Sequence, residues 1–235
     1  GAISYDSETQ GFTKRYTHVV YGLGIVVSEE EIEDNQYEIV SRRRIKRLAF
    51  SMRQTKEIVS ANVLNRATTT GYNGGDGVTL LSTAHTATNG NWSNKLSTAA
   101  DLSEASLEDL VIQIGQATND RGLQIALRPT KLIIPINLMF DAKRILKSEL
   151  QSDSANHNIN ALRGMFDYSV NHYLTDTDQW FLKTDSPNGL TMFDRRALSY
   201  QMDNDFDTGN AKSKATMRFS VGWSDAHGLY GSEGA

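Results

Sequence analysis

The segment from Glu29 to Arg66 predicts a single helix that is longer than a compact domain of this size needs. Ser28 and Glu31 have the spacing of a capping box, and the glutamates around them suit a helix N-terminus. If the helix is unbroken, it spans about 57 Å at 1.5 Å per residue. One buried stripe recurs every three or four residues along it: Tyr37, Ser41, Ile45, Leu48, Met52, Thr55, Val59 and Val63.

Strands are predicted at both ends of the chain. Thr17–Val27 alternates apolar and small or polar residues, as a half-exposed strand does, and the polar stretch Ser4–Tyr16 before it contains Gly11. We expect the two to pair as a projecting hairpin with its tip near Glu8–Lys14. Further strands are predicted at Leu190–Phe193 and Leu198–Met202. The clearest strand runs from Ala215 to Trp223, where apolar residues recur at every second position.

The middle of the chain mixes helices and strands. A helix is predicted over Glu104–Thr118, beginning at Ser103 or Ser106. A short buried strand ends at Pro135, and a helix follows it with one packed face formed by Leu138, Met139, Ala142, Ile145, Leu146 and Leu150. With the strand region Tyr168–Leu182, these elements predict an α+β fold.

Four motifs occur in an order that resembles one protein family. They are Val27–Asp34, Leu81–His85 with Ser93–Asn94 downstream, the stretch Arg128–Leu182, and the tail Gly222–Ala235. Together they resemble the major capsid (head) proteins of tailed bacteriophages, close to the Mu-like prophage major head subunit family. Each motif alone is weak, but together they cover most of the chain.

The resemblance implies the Hong Kong 97-type capsid fold with peripheral and axial domains. It implies an extended loop at residues 1–27, a peripheral spine helix at 28–67 and an axial domain at 68–190. Residues 191–235 then return to the peripheral domain as C-terminal strands. The implied function is self-assembly of many copies, as pentamers and hexamers, into an icosahedral head shell around double-stranded DNA. A virion protein assembled in the host bacterial cytoplasm is expected, with no catalytic activity.

Composition restricts the remaining functions. The chain has 235 residues with 39% hydrophobic content, which suits a globular protein, and no cysteine, which excludes disulfides and thiolate metal sites. A formal charge of −4 argues against a dedicated nucleic-acid binder, so only weak, non-specific contact with packaged DNA is expected. No apolar run predicts a membrane span and no secretion signal is apparent. We expect that an N-terminal portion precedes Gly1.

Motifs that could carry chemistry have simpler interpretations. Asp203–Gly209 looks like a calcium loop, but its glycine is one position late and Lys214 occupies the place of the bidentate glutamate, so an acidic turn is predicted. The five histidines lack metal-ligand spacing, and the glycines at 71–77 follow a helix rather than precede one. Asp176 and Asp178 could form a carboxylate pair but lie in an apparent strand turn. We therefore predict no catalytic residues, no metal and no cofactor.

Contact residues are predicted where exposed loops carry large side chains. Phe12, Lys14 and Arg15 in the hairpin and Trp92 on an axial loop are the candidate intersubunit contacts. The basic run Arg42–Arg47 lies opposite the apolar stripe, so a solvated or ion-paired face is favoured over salt bridges between subunits or DNA contact. A noncovalent shell is expected, since a partner for a lysine cross-link at Lys14 cannot be assigned.

The partners implied by the resemblance are other copies of the chain, with portal, scaffold, maturation protease and decoration proteins. Two other functions stay open. One is an encapsulin-like nanocompartment shell that encloses protein cargo. The other is a hydrolase or carbohydrate-binding module, which would require a concave pocket with converging polar groups.

Overall fold

The computed structural model describes residues 3, 11–34, 37–151 and 158–235, and the side chains of residues 37–42 are not considered. Two β-sheets with helices packed on them form the molecule. The first sheet has three antiparallel strands in the order β1-β8-β7, where β1 is Val19–Val27, β7 is Leu190–Asn204 and β8 is Ala211–Trp223. Val19 pairs with Phe219, and Val27 pairs with Ala211.

The long helix packs across the inner face of this sheet. A short helix α1 (Glu29–Glu33) precedes α2, which runs from Tyr37 to Asn65. Leu48 and Met52 of α2 are 2% exposed and form one core cluster with Ala215, Met217 and Phe219 of β8. Ile45, Thr55, Val59 and Val63 are half-buried along the same stripe, so the predicted face is confirmed from residue 45 onward.

The second sheet has the order β5-β4-β6-β9. Its strands are β4 (Pro129–Ile134), β5 (Asp167–Val170), β6 (Trp180–Thr184) and β9 (Leu229–Ser232), and only the β4-β5 pair is parallel. Helices α3 (Glu104–Gly115) and α4 (Met139–Lys147) pack on it. A small hairpin, β2 (His85–Ala87) with β3 (Gly90–Trp92), and two 3-10 turns at Ile136–Leu138 and Ala226–Gly228 complete the fold.

Helix α3 begins as its sequence predicts, whereas α4 begins at Met139, after a 3-10 turn, rather than directly at Pro135. Ser103 caps α3, its hydroxyl accepts from Ser106 N at 3.2 Å, and the Ser106 hydroxyl accepts from Ser103 N at 3.0 Å. The buried side of α3 is formed by Leu107, Leu110 and Ile114, which are all 0% exposed. These residues share one core cluster with Ala142 and Leu146 of α4 and with Leu132 of β4, so the helices stabilise the sheet through apolar burial.

A third core cluster joins the two sheets. Leu64 and Ala67 at the end of α2 pack with Phe181 of β6 and Trp223 of β8. Next to it, Gly189 and Gly228 meet backbone to backbone. A Cβ on Gly228 would lie 2.4 Å from Gly189 Cα, so neither position accommodates a side chain. The two units are therefore packed directly on each other.

Several predictions about elements were wrong in detail. The helix predicted from Glu29 to Arg66 is divided, since α1 ends at Glu33 and Asp34 forms a turn. Asp and Asn have low helix propensity, and the sequence places both here. The strands predicted at 190–193 and 198–202 are one strand, β7, with irregular register near Arg196. The helix before Leu150 ends at Lys147, and Leu150 is 43% exposed.

The predicted hairpin partner of β1 is described only in part. Residues 11–16 contain no strand, and β1 pairs with β8 instead, while residues 4–10 lie outside the described part of the chain. The end of the chain also differs from the expected return to the spine-helix unit, because β9 pairs with β6 in the second sheet. The domain boundaries predicted at 27, 67 and 190 remain predictions.

Candidate functional site

The N-terminal segment 11–18 lies on the body of its own chain. The Tyr16 ring packs against Gly222, where a Cβ would lie 2.8 Å from it, and its hydroxyl is 2.7 Å from Ser224 Oγ. Lys14 donates to the carbonyl oxygen of Asn73, and its Nζ lies 4.9 Å from the centre of the Trp223 ring. Residues 11–18 are thus fastened to β8, whereas residues 4–10, which include part of the predicted hairpin tip, lie outside the described part of the chain.

Among the predicted contact residues, Phe12 and Arg15 remain available to a partner. Phe12 is 63% exposed and Arg15 is also exposed, whereas Lys14 is half-buried by the contacts given above. Segment 11–18 therefore exposes one large apolar side chain, Phe12, and one cationic side chain, Arg15. Their role as intersubunit contacts stays a prediction.

A cavity of about 620 Å³ lies between this segment, α2 and β8. Its lining is aromatic and cationic, with the Arg66 guanidinium 4.4 Å from the centre of the Tyr72 ring. The described residues that line it include no carboxylate and no histidine.

Trp92 is stacked on two histidines. The ring centroid of His85 lies 4.6 Å from that of Trp92, and the ring centroid of His227 lies 3.7 Å from it. His85 Nδ1 is 2.6 Å from Asp76 Oδ2, and His227 Nδ1 is 2.9 Å from Asp225 Oδ1. The indole of Trp92 is thus half-buried by stacking within its own chain. Its predicted role as an intersubunit contact remains a prediction.

Asn94 is the hydrogen-bonding centre beside this stack. It is 0% exposed, and its Nδ2 donates to the carbonyl oxygens of Leu80 at 2.6 Å and Leu229 at 3.0 Å. Its Oδ1 accepts from Ser82 N at 2.9 Å and lies 3.1 Å from His85 Nε2. The motif of Leu81–His85 with Ser93–Asn94 therefore has a structural role: it ties the 74–94 region to the C-terminal strand.

The carboxylate motifs form turns. Asp203–Gly209 contains the turn between β7 and β8, in which Asp205 N donates to Asn210 O at 2.9 Å and Gly209 has φ +68°. A hydrogen bond from Lys212 lowers the pKa of Asp205. Asp178 N donates to Asp176 Oδ1 at 3.3 Å. A side-chain hydrogen bond between the two carboxyls raises the pKa of Asp178 and lowers that of Asp176.

The basic run on α2 is partly ion-paired. Arg44 makes a bidentate contact with Glu31, with nitrogen–oxygen distances of 2.8 and 2.7 Å, and this hydrogen bonding lowers the pKa of Glu31. The pair braces α1 against α2, while Arg43, Lys46 and Arg47 are exposed. The side chain of Glu31 binds Arg44, and its backbone N–H donates to Ser28 Oγ at 3.3 Å. The predicted cap of α1 at Ser28 is therefore formed by that backbone bond.

Exposed apolar side chains are concentrated on the edges of the first sheet. Both edge strands expose several, and an isolated chain rarely leaves long edges of this kind uncovered. On β1 they are Val19, Val20, Leu23 and Val26, and on β7 they are Met192, Phe193, Leu198, Tyr200 and Met202. Phe206, in the turn that follows β7, is 100% exposed. Such edges suit association with further chains.

Comparison with solved structures gives the fold class. The capsid of Myoviridae phage XM1 matches with a TM-score of 0.57 at 12% identity, over 94% of this chain and 74% of that chain. The capsid of bacteriophage JBD30, decorated with minor capsid protein trimers, matches with a TM-score of 0.54 at 13% identity, over 68% of this chain and 75% of that one. The SrpI encapsulin of Synechococcus elongatus PCC 7942 matches with a TM-score of 0.54 at 9% identity, over 92% and 74%.

The fold is thus the Hong Kong 97-type capsid fold, as predicted. Comparison with curated proteins gave no match. The family described as phage capsid protein matches residues 11–232, so this chain belongs to the phage capsid protein family and is a major capsid protein of the virion shell. In the described residues, no helix has the length and apolarity that crossing a bilayer requires.

Two features of these surfaces were missed from the sequence. The stacking of Trp92 with His85 and His227 brings together side chains from distant parts of the sequence, and no local pattern indicates it. The exposed Phe206 is different, because a single aromatic residue between Asp205 and Asp207 is visible in the sequence. That residue could have been identified as a candidate contact once the segment was read as a turn.

Proposed function

We propose that this chain is a major head subunit of the Mu-like prophage type, whose copies form pentamers and hexamers in an icosahedral shell around double-stranded DNA. The observation that carries the proposal is the family match over residues 11–232, together with the exposed apolar edges of the first sheet. The contacts between copies in such pentamers and hexamers would be heterologous, and repeated heterologous contacts close into rings. Assembly would take place in the host bacterial cytoplasm.

The proposed partners follow from the shell. Portal, scaffold, maturation protease and decoration proteins would act on the assembled subunits, and the JBD30 capsid carries a decorating protein of this sort. Contact with DNA would be weak and non-specific, because the chain has a net charge of −4. We further propose that the chain catalyses no reaction. The peripheral and axial domains would be divided as the resemblance implies, with β9 added to the axial sheet.

Electron microscopy of the expressed full chain tests this function. We expect ordered particles of uniform diameter, and a soluble monomer at high concentration would contradict the proposal. The similarity to the SrpI encapsulin gives the second candidate, a nanocompartment shell. Particles that enclose DNA support the head shell, whereas particles that enclose a protein and no DNA support the nanocompartment.

The predicted contact segment allows a mutational test. The double variant Phe12→Ala and Arg15→Ala should give soluble capsomers or monomers, because it removes the two large side chains that segment 11–18 exposes. Circular dichroism should show an unchanged fold, since neither side chain is buried. Intact particles at wild-type yield would exclude these residues as assembly contacts.

A further inference from the structure

The turn between β7 and β8 presents an aromatic side chain surrounded by carboxylates. Phe206 is 100% exposed. Asp203 and Asp207 beside it are exposed, Asp205 pairs with Lys212, and the Glu29 carboxylate lies against Gly209. We call these five residues the acidic tip: Glu29, Asp203, Asp205, Phe206 and Asp207.

The acidic tip is held in a fixed conformation. The β7-β8 ladder continues to the pair Asn204 and Ala211, and Gly209 N donates to Asp205 O at 2.9 Å. Glu29 N donates to Asn210 Oδ1 at 3.1 Å, which fastens the start of α1 to the same turn. Phe206 is thus carried by a hydrogen-bonded turn, so little backbone conformational entropy is lost when it binds.

A groove of complementary chemistry lies on the same molecule, between α2 and β7. It has a volume of about 460 Å³, and its floor is formed by the buried side chains of Met52 and Met217. At its rim lie Phe50, which is 61% exposed, and Leu198, which is 48% exposed. The basic groove, as we call it, is lined by Ala49, Phe50, Met52, Arg53, Lys56, Asp194, Arg196, Leu198 and Met217.

The charge of the groove is opposite to that of the tip. Arg53 and Arg196 are exposed and have no ion-pair partner within the described residues, while Lys56 is neutralised by Asp194 at 2.8 Å. Asp203 and Asp207 of the tip likewise have no cationic partner in the described part of the chain. Two unpaired cations beside an apolar floor therefore match two unpaired carboxylates beside a phenyl ring.

The tip cannot reach the groove of its own chain. Met217 lies six residues along β8 from Ala211, which is about 20 Å at 3.4 Å per residue. Both ends of that distance are fixed in one sheet, since β8 is paired with β1 on one side and with β7 on the other. A tip that fills this groove therefore has to come from another molecule.

We propose that the acidic tip of one copy inserts Phe206 into the basic groove of a neighbouring copy, with Asp203 and Asp207 facing Arg53 and Arg196. This proposal rests on the proposed shell function and identifies the acidic tip and the basic groove as two surfaces through which the copies associate. The two surfaces are different, so the contact is heterologous, and repetition from copy to copy builds rings or a lattice. A tip-to-tip or groove-to-groove contact would bring like charges together, which disfavours both.

Charge reversal tests the pairing directly. The tip variant carries Asp203→Lys and Asp207→Lys, the groove variant carries Arg53→Glu and Arg196→Glu, and a combined variant carries all four. A matched control reverses Lys143→Glu and Lys147→Glu on the exposed face of α4, which also carries the exposed Phe140. Particle yield is measured for the purified full chains by sedimentation and electron microscopy.

Like charges that face each other oppose association, so the tip and groove variants should each lower particle yield by about tenfold or more. The combined variant should recover most of the yield, and the control substitutions should neither cause the loss nor restore assembly when added to the tip variant. Phe206→Ala should also lower the yield, and circular dichroism of every variant verifies its folding.

Two results would overturn the contact. One is wild-type yield from both the tip and the groove variants, and the other is a folded combined variant that assembles no better than either. If adding the α4 reversal to the tip variant restores assembly instead, the tip binds α4 and the groove is the wrong surface. Failure of the wild-type chain to form particles would instead count against the proposed function, so the two failures are distinguishable.

Discussion

Replacing Asn94 by alanine should destabilise this protein more than most single substitutions do. The side chain is 0% exposed, so no water replaces the groups that are removed. Its loss leaves the carbonyl oxygens of Leu80, Ala226 and Leu229, the N–H of Ser82 and Nε2 of His85 without this partner. At about 1 kcal/mol for each of the five groups, the free energy of unfolding falls by about 5 kcal/mol.

Urea denaturation of the unassembled chain, followed by circular dichroism, measures this loss. Asn91→Ala provides a matched control three positions away, because Asn91 is exposed and should change the stability by less than about 0.5 kcal/mol. A loss of under about 1 kcal/mol for Asn94→Ala would refute the reasoning. It would mean that the strands around Asn94 do not depend on this side chain for their hydrogen bonds.

Two further predictions concern the residues from Asp225 to Gly228, where the two sheets pack on each other. Gly228→Ala should lower the free energy of unfolding by about 1 to 3 kcal/mol, because the new Cβ would overlap Gly189, whereas Gly115→Ala, where a Cβ meets nothing within 4 Å, should stabilise the fold by roughly 0.5 kcal/mol in thermal melts. If the Gly228→Ala variant were as stable as the Gly115→Ala variant, or more stable, the result would contradict the close backbone contact between Gly189 and Gly228. Burial raises the pKa of Asp225, but hydrogen bonds from His227 and Ser186 outweigh it and hold that pKa below its ordinary value. The stabilisation is therefore present above about pH 4 and lost as the pH falls through the folded-state pKa, so Asp225→Asn should destabilise more at pH 6 than at pH 3. An equal effect at both pH values would exclude this linkage.

Periodicity predicted the elements that bury one clear face. The strand from Ala215 to Trp223 was identified because its apolar residues alternate, and the structure buries Ala215, Met217 and Phe219 against α2. The stripe of α2 and the buried side of α3 follow from the same argument. In each of these elements the periodic pattern reports contact with a single apolar surface, and that information is local to the segment.

Strand pairing was not available from such patterns. The alternation in Thr17–Val27 identifies a strand but not its partner, and the nearby segment was chosen although β8 is the actual neighbour. The position of β9 was missed for the same reason, because four residues at the end of the chain contain too little pattern to select a sheet. The Trp92 stack depends on such long-range pairing, so its contribution to the candidate site could not be predicted either.

The pairing of β1 with β8 has a consequence for synthesis on the ribosome. Val19 is translated before its partner Phe219, so the two strands can pair only after β8 has emerged. Long-range strand pairing of this sort is slow, since the intervening chain must first be closed into a loop. A nascent chain on a polysome therefore lacks a finished first sheet until β8 has emerged, and its neighbours on the same messenger RNA find no completed edge to polymerise on before that point.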